Sequence, residues 1–310
     1  MNHAAVMNYP DLHNAMSVDV EDYFHVQAFA GHIDRSSWES RESRVTANVH
    51  TLLDIFDRFS VRATFFVLGW EAERRPGLVR EIRSRGHEVA CHGYSHRLIY
   101  QQTPQDFRKE TERAKWLLED ILGVAVNGYR AASYSIVQRS IWALDVLVEL
   151  GFEYDSSIFP VFHDCYGIPD AERLPHRLAT PNGGSIAEWP LSTVNLLKYR
   201  VPVAGGGYFR LMPYWLSRAA LATINRREAQ PFIFYLHPWE IDPGQPRIAA
   251  RRLSRFRHYT NIGKCEGRLQ RLLADFSFST VSDGLARLGL LRGGKVSGPG
   301  SPPDNGELPG

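Results

Sequence analysis

The sequence predicts an α/β protein built on a parallel sheet, either a barrel or a doubly wound layer. Short apolar runs rich in β-branched and aromatic residues alternate with longer segments whose apolar residues fall at helical spacing. Acids, an arginine and imidazoles cluster where the strand runs end, the rim at which such sheets gather their chemistry.

Taken in order, NAMSVDVED (14–22) alternates and then ends in acids, as a strand delivering carboxylates at its C-terminal end would. VTANVHTLLDIFDRFS reads as a helix and RATFFVLG as a strand. RPGLVREIRSRG is a helix opened by Pro76 and closed by Gly86, HEVACHG a strand, and TPQDFRKETERAKWLLEDILG a helix with Thr103 as N-cap. VNGYRAAS and FEYDSSIF are strands on either side of the helix QRSIWALDVLVELG. From 160 to 231 Pro and Gly are frequent and no period holds, so a loop-rich insert capping the site is expected. PFIFYLHPWE is then a last buried strand ending in His237, and GRLQRLLADF a final helix. Residues 1–13 read as an N-terminal extension, 14–290 as one dominant domain, and 291–310, which cannot bury apolar area, as a disordered tail.

Among 310 residues, 36 Lys and Arg against 34 Asp and Glu leave a formal charge of +2, so no overall field points to a polyanion, and no nucleic-acid partner is expected. The one basic cluster, RIAARRLSRFRHY (247–259), reads as a solvated helix face. Cys91, Cys165 and Cys265 are odd in number and widely spaced, which supports neither a disulfide framework nor a cysteine zinc site and suits a reducing compartment. With no signal-peptide pattern and no apolar window long enough to span a membrane, the expectation is a soluble, cytoplasmic protein; a homo-oligomer is left open.

The chemistry-bearing residues begin with CHGYSH (91–96). His92 and His96 could both reach one cation at about 2.0–2.1 Å, with Gly93 allowing the chain to bend from strand into turn. Asp19 and Glu21 share a strand face by alternation, whereas Asp22 shares it only if the chain has already turned. Two imidazoles and a carboxylate with an open position form the donor set of a hydrolytic zinc site or another borderline divalent metal. Several carboxylates on a buried strand repel unless balanced, and Arg130 could hold one of them ionised and fix its aim. His237 ends a run too apolar to leave an imidazole unpaired. Tyr208, Phe209, Tyr214 and Trp215, around a triple glycine, could stack on sugar rings or simply pack in the core.

The order Asp-x-Glu, then HGYSH, then an arginine loop, then an apolar strand ending LHP resembles the polysaccharide deacetylases with the NodB-homology fold, the family 4 carbohydrate esterases. The resemblance runs from about Ala15 to Leu285. Within the family, SVDVEDYFHV and GGGYFRLMPY resemble the deacetylases of exosortase-linked exopolysaccharide loci. It implies a distorted (β/α) barrel that removes N-acetyl groups from a bacterial polysaccharide with a divalent metal, zinc first and cobalt or nickel as alternatives. It also implies Asp19 as base, Glu21, His92 and His96 as ligands with Asp22 as a rival, Arg130 orienting Asp19, and His237 as general acid. Tyr134 would contact the acetyl group, Tyr208 the sugar, and Trp189, in EWP, stands in for the aromatic that usually lines the pocket. The acidic motif departs from the usual adjacent Asp-Asp because Val20 intervenes, and RAASY replaces a proline-bearing loop. A cyclic imide or ureide amidohydrolase on the same fold, or a non-catalytic carbohydrate-binding component, are the competing expectations.

Overall fold

The computed structural model describes residues 12–163, 166–197 and 199–291. The expected tail, most of the N-terminal extension and Cys165 lie outside them. The elements are, in order, β1 (Asn14–Val20), α1 (Val45–Arg58), β2 (Thr64–Val67), α2 (Gly69–Arg74), α3 (Pro76–Ser84), β3 (Glu88–Cys91) and α4 (Pro104–Leu122). There follow β4 (Gly128–Tyr129), α5 (Ala143–Glu149), β5 (Tyr154–Asp155), β6 (His176–Ala179), β7 (Ser185–Glu188), β8 (Thr193–Leu196) and β9 (Tyr199–Pro202). The chain ends with α6 (Gly206–Leu211), α7 (Tyr214–Arg227), β10 (Ile233–Leu236), α8 (Arg252–Tyr259), α9 (Ile262–Asp275), β11 (Phe278–Ser279) and α10 (Val281–Arg287).

The main sheet has the order β10-β1-β2-β3-β4-β5-β7-β6, with β11 also pairing β1. All its pairs are parallel except β6 with β7. It curls into a half-barrel, the distorted (β/α) barrel expected, and its parallel strands deliver their C-terminal ends to one rim. Alternation decides what those ends present. Met16, Val18 and Val20 of β1, Phe65 and Val67 of β2, Val89 and Cys91 of β3, and Phe234 and Leu236 of β10 pack in one large core with the outer helices. Ala15, Phe66, Ala90, Ile233 and Tyr235 fall in a second cluster on the opposite face. Asp19 lies on that second face within β1, and His92 and His237 continue it just beyond the ends of β3 and β10.

Local signals set the helix ends. Thr103 Oγ1 accepts the Asp106 N–H at 3.1 Å, Pro104 occupies the first turn, and Gly123 closes α4 at φ 67°. The 247–259 cluster forms α8 with its arginines exposed, as expected of a solvated face. Residues 160–231, expected as loops, instead hold the β6–β7 hairpin that extends the sheet, the β8–β9 hairpin, α6 and α7. Their strands are four residues each, too short for a period to emerge from the sequence. Likewise α9 is not the final helix, since the seven-residue α10 follows, capped by Thr280.

Three imidazoles lie buried within this framework. Burial lowers His25 well below its usual value, His87 to about 4 and His258 to about 3. Below pH 6.5 the unfolded chain takes up a proton that folded His87 refuses, so this group withdraws stability as pH falls from about 6.5 to about 4 and has no effect above that window. Asparagine can keep an acceptor for the Ala63 N–H that His87 Nδ1 now binds. Relative to the parent, His87→Asn should therefore gain about 2–3 kcal/mol on going from pH 7 to pH 4.5, read from urea midpoints. An equal gap at both pH values would refute this assignment.

Candidate active site

Three acids within four residues at the end of β1 are all buried, and each is turned to a different partner. Asp22 Oδ2 accepts Ser43 Oγ at 2.7 Å and the N–H groups of Arg44 and Val45 at 2.8 and 3.1 Å, so it caps the N-terminus of α1. Burial still lifts its carboxyl above the ordinary value. Asp22 is therefore not brought to the imidazoles, and its candidacy as a ligand is corrected on that ground.

Glu21 is brought there. Its Oε1 lies 2.9 Å from Nε2 of both His92 and His96, and the three side chains offer donor atoms all within 4.8 Å of one another. The imidazoles converge without a helix: His92 follows β3, Gly93 turns at φ 73°, and His96 sits at φ 51°. The donor chemistry fits a cation. His92 Nδ1–H donates to the Arg130 carbonyl at 2.8 Å, so the ring turns Nε2 toward a carboxylate oxygen. His96 Nε2 is buried with no hydrogen-bond partner. Lone pairs gathered on an anion repel unless something positive lies among them. Burial acts to raise the Glu21 carboxyl, but the adjacent His96 and His92 imidazoles outweigh it and hold it well below the usual range.

Asp19 is held by Arg130, which is fully buried. Its Nη1 donates to Asp19 Oδ1 at 2.7 Å and to Ser17 Oγ at 2.9 Å, while Nε and Nη2 donate to Ser156 O and Oγ, each at 3.0 Å. The guanidinium lies 4.1 Å from the Phe66 ring centre. The other Asp19 oxygen, Oδ2, receives the Tyr134 hydroxyl at 3.4 Å and lies 4.0 Å from His237 Nε2. Tyr134 and its neighbour Ser133 occupy left-handed backbone at φ 54° and 51°, strain of about 1–3 kcal/mol each that aims the phenol inward.

His237 has a support that the sequence reading missed. Its Nδ1–H donates to Glu240 Oε1 at 2.8 Å, and Arg210 Nε donates to Glu240 Oε2 at 2.6 Å. Arg210 Nη1 also donates to the carbonyls of Arg257, His258 and Thr260 at the end of α8. Burial works against charging His237, but the Glu240 bond and the nearby carboxylates outweigh it and push the imidazole up to about 9. Burial likewise resists ionising Glu240, yet Arg210 and His237 bring it to about 2. The triple glycine serves this arrangement: a Cβ on Gly205 would meet the Tyr235 carbonyl at 2.0 Å, and one on Gly206 the Tyr235 hydroxyl at 2.5 Å. Only glycine lets the chain press against β10 and present Arg210. The available signals were an acid three residues after His237 and an arginine three after the last glycine.

The remaining candidates divide. Tyr208 is half-buried near Tyr235, whose ring lies edge-on to Tyr134 at 5.1 Å. Trp189 is buried in the inner cluster, so close to α10 that a Cβ on Gly284 would meet its ring at 2.5 Å, and it does not line the site. Phe209 packs on Phe234 at 4.8 Å in the core, Tyr214 donates its hydroxyl to Asp275, and Trp215 is exposed.

Residues 37–154 match the polysaccharide deacetylase family model, and residues 156–286 match a domain of unknown function, DUF3473. A peptidoglycan-N-acetylglucosamine deacetylase of Bacillus cereus is 30% identical over 95 residues, 30% of this chain and 34% of that protein. The match spans about a third of the length of the first curated relatives. Among solved structures, a provisionally named polysaccharide deacetylase from Mycobacterium smegmatis aligns over 95% of this chain and 97% of that one, with a TM-score of 0.58 and 22% identity. The Puue allantoinase aligns over 88% of each chain at 0.55 and 17%. These two similarities speak for the fold alone. The matching family model lies over the strands that bring Arg130 and the histidine pair together, so this part of the chain is similar to the polysaccharide deacetylases.

Proposed function

We propose that this protein is a divalent-metal-dependent hydrolase that removes N-acetyl groups from amino sugars of a bacterial polysaccharide. The observation that carries the reading is the convergence of Glu21, His92 and His96 beside an Asp19–His237 pair of complementary charge. The match of residues 156–286 to DUF3473 agrees with the exopolysaccharide-associated subgroup, so an exopolysaccharide is the substrate we favour. Glu21, His92 and His96 would hold the ion, and their two-nitrogen, one-oxygen set suits zinc, then cobalt or nickel.

When bound, such an ion supplies a Lewis acid that lowers the pKa of water and polarises an amide carbonyl. Asp19, aimed by its bond from Arg130, accepts the proton of the attacking water. His237, protonated at neutral pH through Glu240, donates from Nε2 to the departing amine. Tyr134 offers its hydroxyl at the same place, where it can hydrogen-bond the acetyl oxygen as charge develops. Arg130 and Glu240 act through the residues they hold. The products are acetate and a free amino sugar.

Acetate release from N-acetylglucosamine oligomers should be abolished by a chelator and restored by zinc. It should fall by about 10²–10⁴-fold in Asp19→Asn, as expected when a general base is removed. Oligomers left intact by the zinc-loaded parent would sink the proposal.

Glu240→Gln separates proton supply from binding. Without the carboxylate the protonated imidazole loses its main support, so the His237 pKa drops from about 9 toward 6.5 and the basic limb of the pH profile moves to lower pH. We expect kcat/KM to fall by about 10–100-fold, the usual cost of losing a supporting hydrogen bond of this kind. A lower rate with an unmoved basic limb would mean that Glu240 does not govern the proton.

A further inference from the structure

Helix α8 is amphipathic in the wrong sense for a helix packed on a globular body: its one buried residue is His258, and the centre of its outward face is apolar. The His258 ring stacks on Trp239 at 4.3 Å and its Nε2 meets Gln245 Oε1 at 2.7 Å. At 3.6 residues per turn, the side opposite His258 carries Leu253 and Phe256, three positions apart, with Arg252 and Arg257 flanking them. Leu253 is 59% exposed and Phe256 60%. We propose that this face docks on the surface of an anionic lipid bilayer, with Leu253 and Phe256 entering the acyl boundary and the arginines meeting the headgroups. The inference is independent of the deacetylase reading, because it concerns where the protein sits and not what it cleaves.

Charge names the occupant. Between Asp242 and Glu266 the chain has Arg247, Arg251, Arg252, Arg255, Arg257 and Lys264 and no acid, although the whole protein carries a formal charge of only +2. All five arginines are exposed. The side chains of Arg251, Arg252, Arg255 and Arg257 make no hydrogen bond or ion pair among the described residues, so nothing within this part of the protein matches their charge. Arginines alone would form a solvated face or a grip for any polyanion. Large apolar side chains in their midst serve neither purpose, whereas bulky apolar and basic residues together are what an interfacial helix offers to anionic lipid. No described helix is long and apolar enough to cross a membrane, so the contact is with its surface. The face is also held firmly. Arg210 Nη1 binds the carbonyls of Arg257, His258 and Thr260 at 3.1, 2.6 and 3.2 Å, which closes the C-terminal end of α8. Trp239 stacks on His258 and, at 5.0 Å, on His237, so docking would carry the candidate active site to the bilayer.

Vesicle co-sedimentation of the full chain tests this and needs neither metal nor sugar. Vesicles of phosphatidylglycerol with phosphatidylethanolamine should bind the protein at least about tenfold tighter than vesicles of phosphatidylcholine, and added salt should narrow the margin. Arg252→Gln with Arg257→Gln should weaken binding to the anionic vesicles about tenfold or more, since each arginine near such a surface contributes about fivefold. Leu253→Ser with Phe256→Ser should weaken it by about tenfold as well. All four side chains are exposed, so both variants should keep the parent's urea midpoint. Anionic-vesicle binding untouched by loss of the two apolar side chains would assign the face to a soluble polyanion such as heparin and overturn the proposal. A parent that ignores both kinds of vesicle would overturn it too, as would a concentration-dependent dimer that the serine variant abolishes and vesicles do not compete with.

Discussion

The structure depends on one constraint: charge buried at the end of β1 has to be answered locally by segments that come from elsewhere in the chain. Asp19, Glu21 and Asp22 are each almost wholly removed from water. An ion pair in such a setting gains little over apolar packing, but stripping one partner away costs about 3–5 kcal/mol because it leaves an orphaned charge. Displacing these partners therefore costs the fold a large part of its stability. Arg130 from the end of β4, the histidine pair after β3 and the first turn of α1 have to arrive together. The assembly of the site and of the sheet is one event.

Strand alternation is the device that makes this possible, and it is also what made much of the site legible. A period of two, read from NAMSVDVED, puts Asp19 and Glu21 on one face, and the same argument from HEVACH and FIFYLH puts His92 and His237 on the concave side. The alternation of β and α over residues 14–155 conveyed the parallel sheet, because those helices are long enough and well enough capped to show their period. What stayed hidden was anything fixed by contacts between distant segments. Asp22 looked like a ligand because nothing near it in sequence says that Ser43 and the start of α1 will close on its carboxylate. Trp189 looked like a pocket residue because a buried tryptophan and a lining one have the same local sequence. The Glu240–Arg210 pair joins residues 30 apart, and the short strands of 160–231 carry too few residues to declare themselves.

The inner layer of acids obeys the same rule by a different means. Asp155 and Glu188 face each other across β5 and β7, both fully buried and near Arg130, whose charge Asp19 already matches. Burial pushes Asp155 up to about 6 and Glu188 well above its ordinary value, and the two interact directly. With no second cation to share, the pair keeps a proton. Two serines complete the arrangement: Ser157 donates to Asp155, and Ser156, which takes two bonds from Arg130, donates to the Trp189 carbonyl. Asp19 is thus backed by a layer that orients Arg130 without competing for its charge.

Following the buried carboxylates around the site to their partners leaves one that stands apart. Asp19 has Arg130, Glu240 has Arg210 and His237, Asp22 has a helix terminus, and Glu188 with Asp155 retains a proton. Glu21 is met by two imidazoles and by no arginine or lysine among its described partners, and His92 already spends its Nδ1–H on the Arg130 carbonyl. A proton on each ring could satisfy Glu21, but that would put two like charges beside each other in a dry site, next to a third on His237. A single divalent cation would remove the conflict, since Nε2 of each ring and a Glu21 oxygen are gathered where one ion could be held. Glu21, His92 and His96 therefore form a possible cation site, at the one acid of this cluster that no described arginine, helix terminus or retained proton answers.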